Sequence, residues 1–191
     1  MPWNTLFRYL VVADPIVFLH FMPWFVDPFL LNTYCTTHIQ NVKGVFYLTR
    51  ACIPMLEQGS TPENPSRVIN IGSVVGIIPQ AAPTHAYDVS KAAVHQLTKK
   101  LSSDLAPRGI TVNALAPGFV ATRMSKGLGT WGATEDVIAK GIPLKRMGNE
   151  EDMAGACLYL SSKAGAWCTG VILNVDGGTI GGIQVDLGSS L

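Results

Sequence analysis

Apolar side chains recur at helical spacing through residues 39–58, where Val42, Val45, Phe46, Ala51, Ile53 and Leu56 form a repeating pattern that predicts an α-helix. The polar run GSTPENPS at 59–66 reads as a loop. RVINIG at 67–72 is short, β-branched and bounded by turn residues, and reads as a buried strand. A second helical pattern of Val89, Ala92, Ala93, Leu97, Leu101 and Leu105 predicts a helix over 86–105, stopped before Pro107 and Gly109. ITVNALA at 110–116 is another apolar strand, closed by Pro117 and Gly118, and a loop-rich region runs on to about Pro143. Residues 150–161 read as a helix whose first turn is acidic, which suits the helix dipole. The last strand is 171–175, ending at Asp176-Gly177-Gly178. Buried apolar strands alternating with helices predict an α/β fold, a parallel sheet with helices on both faces. Ligands bind such sheets outside the carboxyl ends of the strands, where Ser73 and Pro117-Gly118 fall.

Residues 1–35 break this regularity. Trp3, Phe7, Phe18, Phe21, Trp24, Phe25 and Phe29 crowd a stretch interrupted by Asp14, Pro15, Pro23, Asp27 and Pro28, and no period persists. Its uncharged run from Pro15 to Val26 is shorter than the ~20 residues a membrane helix needs. The apolar run after Arg8 ends at Asp14, too soon for a signal peptide. The chain is therefore expected to divide into an atypical apolar leader, 1–35, and an α/β domain, 36–191.

Composition narrows the class. A chain of 191 residues with 48% hydrophobic and 14% charged residues builds one core-rich domain. A net charge of +1 leaves no electrostatic footprint for nucleic acid. The four cysteines contain no C-x-x-C pair, so neither a zinc site nor a disulfide framework is indicated, and free thiols in a reducing, cytoplasmic setting are expected. His85 and His95 have no second ligand at metal spacing and read as surface or satisfied helix residues.

Candidate chemistry concentrates between Ser73 and Lys91. Tyr87 and Lys91 stand four residues apart, so on a helix they share a face. A phenol normally titrates near pH ~10. A nearby ammonium stabilises the phenolate and brings proton exchange toward neutral pH. A hydroxyl from Ser73 beside the phenol would orient a carbonyl or alcohol oxygen. Taken singly, each has a plainer role: Tyr87 and Lys91 as an ordinary helix pair, Ser73 as a turn or cap residue, and Asn41 as an N-cap.

Six segments in order carry a resemblance: NVKGVF at 41–46, INIGS at 69–73, YDVSK at 87–91, ITVNALAPGFVATRM at 110–124, PLKRMGNEEDMA at 143–154 and TGVILNVDGG at 169–178. Together they resemble the short-chain dehydrogenases/reductases, most closely 3-oxoacyl-carrier-protein reductases and the ketoacyl reductases of rhamnolipid synthesis. The resemblance implies a Rossmann-like fold and an NAD(P)-dependent oxidoreductase acting on a carbonyl, a 3-oxoacyl or related ketone, or on the matching alcohol. It implies Tyr87 as general acid/base and Lys91 as its activator and nicotinamide-ribose ligand. Ser73 would orient the substrate oxygen, and Asn41 would hold a relay water. Pro117, Gly118, Val120 and Thr122 would form the loop cradling the carboxamide. It further implies a homo-oligomer.

Two departures stand out. Ser73 lies fourteen residues before Tyr87, one more than the family's usual spacing. Residues 1–35 hold no glycine, so the glycine-rich turn that seats a pyrophosphate on a helix N-terminus is absent there. The chain is thus expected to resemble the C-terminal part of the enzyme, without its N-terminal strands and with an exposed edge at strand 67–72. GLGTWG at 127–132 matches G-x-G-x-x-G, yet follows no strand, so it reads as lid rather than phosphate loop. NAD and NADP are not distinguished, because that choice rests on the absent half. The alternative function is a catalytically inactive remnant that acts as a dimerisation partner.

Overall fold

In the computed structural model, residues 9–12, 34–80, 82–122, 125 and 134–181 are described. Four strands, β1 (Tyr9–Val12), β2 (Ser66–Ile71), β3 (Ile110–Pro117) and β4 (Ile172–Val175), make one parallel sheet in the order β1-β2-β3-β4. The helices are α1 (Val45–Leu56), α2 (His85–Leu105), α3 (Glu135–Gly141) and α4 (Glu150–Ser161). A π-helical stretch, Ile39–Gly44, leads directly into α1.

Side-chain alternation along the central strands sorts the core into two layers. Val68, Ile110 and Val112 pack with Val45 and Leu56 of α1 and Leu101 and Leu105 of α2. Ile69 and Leu115 point the other way and pack with Leu160 of α4. Successive strand residues face opposite sides, so the near-continuous apolar runs feed both layers. Each fully buried aliphatic side chain contributes about 1.5–3 kcal/mol. Polar alternation is equally informative: Asn70, on the α2 side, donates to Thr98 Oγ1 at 2.9 Å. Arg67, on the α4 side, reaches the Ser162 carbonyl at 3.4 Å.

Local chemistry sets the element ends. Asn149 accepts from Asp152 N while Asp152 accepts from Asn149 N, a reciprocal capping box that starts α4. Gly109 ends the turn after α2 at φ 70°, where a Cβ would be strained and would meet Ser60 Oγ at 2.7 Å. Asn113 ties β3 to the approach of β4, donating to Cys168 O at 2.8 Å and accepting from Val171 N at 3.0 Å.

Three expectations need correction. β1 pairs in parallel with β2, Tyr9↔Arg67 through Val12↔Asn70, so the edge of β2 is covered and four residues of the leader lie in the sheet. The backbone extends the sheet there although the stretch shows no strand period, because parallel pairing follows from the neighbour's free ladder. The helical run begins at residue 34, ahead of the expected 39. The loop-rich region contains α3, capped by Thr134, which accepts from Val137 N. Residues 1–8 and 13–33, and GLGTWG at 127–132, lie outside the described residues. The cysteines are free, with Cys35 exposed and the others half-buried.

Candidate active site

The carboxyl ends of β2 and β3 lie side by side, with Ile71 opposite Leu115 and Gly72 N donating to Leu115 O at 2.8 Å. Ser73 leaves β2 here and caps a short 3-10 turn, Val74–Gly76, accepting Val75 N–H on its Oγ at 3.4 Å. That bond occupies a lone pair and leaves the hydroxyl proton able to donate to a substrate oxygen.

Helix α2 brings the cation to the same edge. Lys91 is 2% exposed, and its Nζ donates to the carbonyl of Ile71, two residues before Ser73, at 3.1 Å. The ammonium lies 5.4 Å from the centre of the half-buried Tyr87 ring. A buried ammonium is unfavourable unless carbonyls or other polar groups surround it. A buried charge of this kind is screened less than one in water.

Asn41, 5% exposed in the π-helical stretch, donates to Ser90 Oγ at 2.8 Å, and Ser90 donates to the Tyr87 carbonyl at 2.7 Å. The structure thus joins Asn41 to the backbone of the tyrosine through Ser90, a link that the sequence reading passed over. Its signal was available: Ser90 stands within YDVSK, one turn beyond Tyr87. His95 is a satisfied helix residue, one of the two readings the sequence allowed. It is buried, accepts Ser73 N–H on Nε2 at 3.4 Å, and hydrogen-bonds the Gly76 backbone. Burial holds this imidazole below the ordinary histidine range, and the Lys91 and Lys99 ammoniums act in the same direction.

Pro117 and Gly118 close β3 at the same end of the sheet. Gly118 N donates to Val175 O at 3.0 Å, and a Cβ on Gly118 would come within 2.8 Å of Asp176, so glycine lets β3 and the end of β4 approach. Val120 bridges to Gly148, with Gly148 N on Phe119 O at 2.9 Å and Ala121 N on Gly148 O at 3.1 Å. Thr122 is exposed and exchanges hydrogen bonds with Ser125. The register therefore sets Ser73 and the Pro117-Gly118 loop on adjacent strand ends, ~5 Å apart in the hydrogen-bonding direction.

The donor set fits one part of a dinucleotide. An ammonium and a phenol at a strand end match the hydroxyls of a nicotinamide ribose. No glycine-rich strand-to-helix turn occurs among the described residues to match the pyrophosphate. Among the described residues no cluster of His, Cys, Asp or Glu could hold a metal ion, and no helix is long and apolar enough to cross a membrane.

Residues 31–179 match the family profile described as Enoyl-(Acyl carrier protein) reductase. The chain is 39% identical over 138 residues to the 3-oxoacyl-acyl-carrier-protein reductase of rhamnolipid biosynthesis from Pseudomonas aeruginosa, covering 72% of this chain and 54% of that protein. It is 41% identical over 142 residues to a 3-oxoacyl-acyl-carrier-protein reductase of Synechocystis, covering 73% of this chain and 53% of that protein. The Pseudomonas aeruginosa RhlG/NADP active-site complex superposes with a TM-score of 0.76 at 33% identity, over 90% of this chain and 64% of that one. A putative 2-deoxy-D-gluconate 3-dehydrogenase from Agrobacterium tumefaciens with bound NADP gives 0.71 at 33% identity, over 90% and 67%. The chain spans about half the length of the curated relatives it matches.

Proposed function

Because the chain belongs to the short-chain dehydrogenase/reductase family, we propose that it serves in hydride transfer between a nicotinamide cofactor and a carbonyl or secondary-alcohol carbon, with Tyr87 exchanging the proton on oxygen. The observation that carries this reading is the buried Lys91 ammonium, anchored on Ile71 O and 5.4 Å from the Tyr87 ring at the carboxyl edge of the sheet. The cofactor supplies the hydride. Ser73 donates its hydroxyl proton to the substrate oxygen and orients it. Tyr87 gives its phenolic proton to that oxygen as the carbon is reduced, and Lys91 stabilises the phenolate left behind. In the oxidative direction Tyr87 takes the proton back. Lys91 also binds the ribose hydroxyls, and Pro117, Gly118, Val120 and Thr122 shape the carboxamide side. Asn41, through Ser90, fixes the turn of α2 that carries Tyr87, and a water on Asn41 completes a relay to Lys91.

The substrate class proposed is a 3-oxoacyl thioester or related ketone, because the relatives at 39% and 41% identity carry that reductase name. The setting proposed is cytoplasmic. The test is the full chain with NADH and, separately, NADPH over a panel of 3-oxoacyl thioesters and small ketones. Tyr87-dependent loss of dihydronicotinamide absorbance is expected, and its absence with every pair refutes the assignment.

A second reading has its own support. Tyr47, Ala51 and Met55, spaced four apart on α1, are all exposed, with Tyr47 at 59% and Met55 at 44%. This outward apolar stripe favours association with a second copy of the chain, in which the polypeptide acts as a partner rather than a catalyst. Sizing by light scattering with Tyr47→Glu, together with the absence of cofactor binding, would select it.

A further inference from the structure

Helix α2 presents a second polar side chain to the turn that carries Ser73. His95 is 5% exposed, and its Nε2 takes the Ser73 backbone N–H at 3.4 Å. A Cβ on Gly72 would fall 2.1 Å from His95 Nε2, and one on Gly76 would fall 2.8 Å from its Cε1. The imidazole therefore fills the space beside Gly72 and shares with the α2 backbone at Lys91 and Ala92 the space beside Gly76. The Gly76 backbone beside the ring favours the protonated imidazole, against the larger opposing effect of burial. With Nε2 accepting, the neutral imidazole carries its proton on Nδ1, the nitrogen left to face the Gly76 side of the turn.

We propose that His95 is a positioning residue, whose Nδ1–H tautomer clamps the 73–76 turn onto α2 and so sets the direction of the Ser73 hydroxyl toward Tyr87. The proposal rests on the reading of Ser73 and Tyr87 as the reacting pair. The turn's own bonds are local: Gly76 N to Ser73 O at 3.0 Å, and Ile77 N and Ile78 N to Val74 O at 2.9 and 3.0 Å. Those bonds shape the turn without tying it to the helix that carries Tyr87 and Lys91. His95 adds a side-chain tie at Ser73 itself, beside the Lys91 bond to Ile71 O and the close approach of Gly76 to the α2 backbone. The extra residue between serine and tyrosine lengthens the connection, so the chain alone fixes the serine slightly less tightly. A displacement of about 1 Å at a reacting group is worth about 100-fold in rate.

The test uses the full chain and has readouts that do not depend on turnover. In nitrogen-15 NMR of the wild-type imidazole, a bare Nε2 and a protonated Nδ1 are expected, and a proton on Nε2 overturns the proposal. In His95→Ala, exchange of the Ser73 amide is expected to quicken by about tenfold or more, while Val112 and Ala114 of β3 stay within about twofold. Equal acceleration throughout overturns it, because His95 would then be ordinary core packing. His95→Gln, which can accept from Ser73 and donate to Gly76, is expected to restore the slow exchange. In the ketone assay His95→Ala lowers kcat at unchanged KM, and His95→Ala with Ser73→Ala is no slower than Ser73→Ala alone. Additive losses would overturn the proposal. A wild-type chain without turnover would refute the function reading, and the exchange and NMR results would still decide the role of His95.

Discussion

Replacing Lys91 by methionine isolates the electrostatic part of the site. Methionine keeps much of the buried stem and removes the charge that donates to Ile71 O and lies 5.4 Å from the Tyr87 ring. With the ring-centre separation standing in for the distance between ammonium and phenolate, an effective dielectric of ~20 gives an attraction of about 3 kcal/mol. Losing it from the transition state lowers kcat by roughly two orders of magnitude. Stability moves far less, because removing a buried charge relieves desolvation while leaving one carbonyl short of a donor, about 1–2 kcal/mol in either direction. The assay is alcohol oxidation across pH, paired with urea unfolding. Lys91→Met is expected to retain the fold, lose about 100-fold in kcat at neutral pH, and recover activity as rising pH ionises the phenol unaided. A folded Lys91→Met enzyme within about threefold of wild type at neutral pH would refute the electrostatic role.

Three further outcomes follow from the packing and the caps. Leu160, 0% exposed at the centre of the layer beneath α4, is expected to cost about 2–5 kcal/mol when changed to alanine, read by urea unfolding. Gly109→Ala forces a Cβ into a left-handed position against Ser60 and is expected to lower stability by about 1–2 kcal/mol, seen as a lower thermal midpoint. Arg146 and the Asn149 N–H hold the Asp152 carboxyl down at about 2. Its folded value is below its unfolded one, so its stabilisation is present above the ordinary carboxylate range near ~3.9 and fades as pH falls toward 2. Asp152→Asn is therefore expected to be less stable at neutral pH and to lose less on acidification, measured by thermal melts from neutral to acid pH. The exposure of this ion pair keeps the effect modest.

Much of this architecture was legible from one-dimensional pattern. Apolar-rich runs at 67–72, 110–116 and 171–175 became β2, β3 and β4 because strands covered on both faces carry apolar residues on both, with Arg67, Asn70, Thr111 and Asn113 as buried polar exceptions. The Tyr87-Lys91 spacing placed both residues on one turn of α2, since helical periodicity is a local property. β1 was not legible: four residues without a strand period join the sheet because β2 offers an unpaired ladder, a property of the neighbour. Val89 was read as part of the inward pattern, yet is 47% exposed, because the helix's orientation against the sheet selects which apolar residues turn inward.

By itself the amino-acid order determined the alternation of strands and helices, and the presence of a phenol, an ammonium and a hydroxyl within one short segment. Only the tertiary structure decided that Lys91 is anchored on Ile71, that Asn41 reaches Tyr87 through Ser90, and that His95 grips the Ser73 turn between two glycines. Such contacts join residues far apart in the chain, and their geometry exists only once the strands are in register and the helices are packed across them.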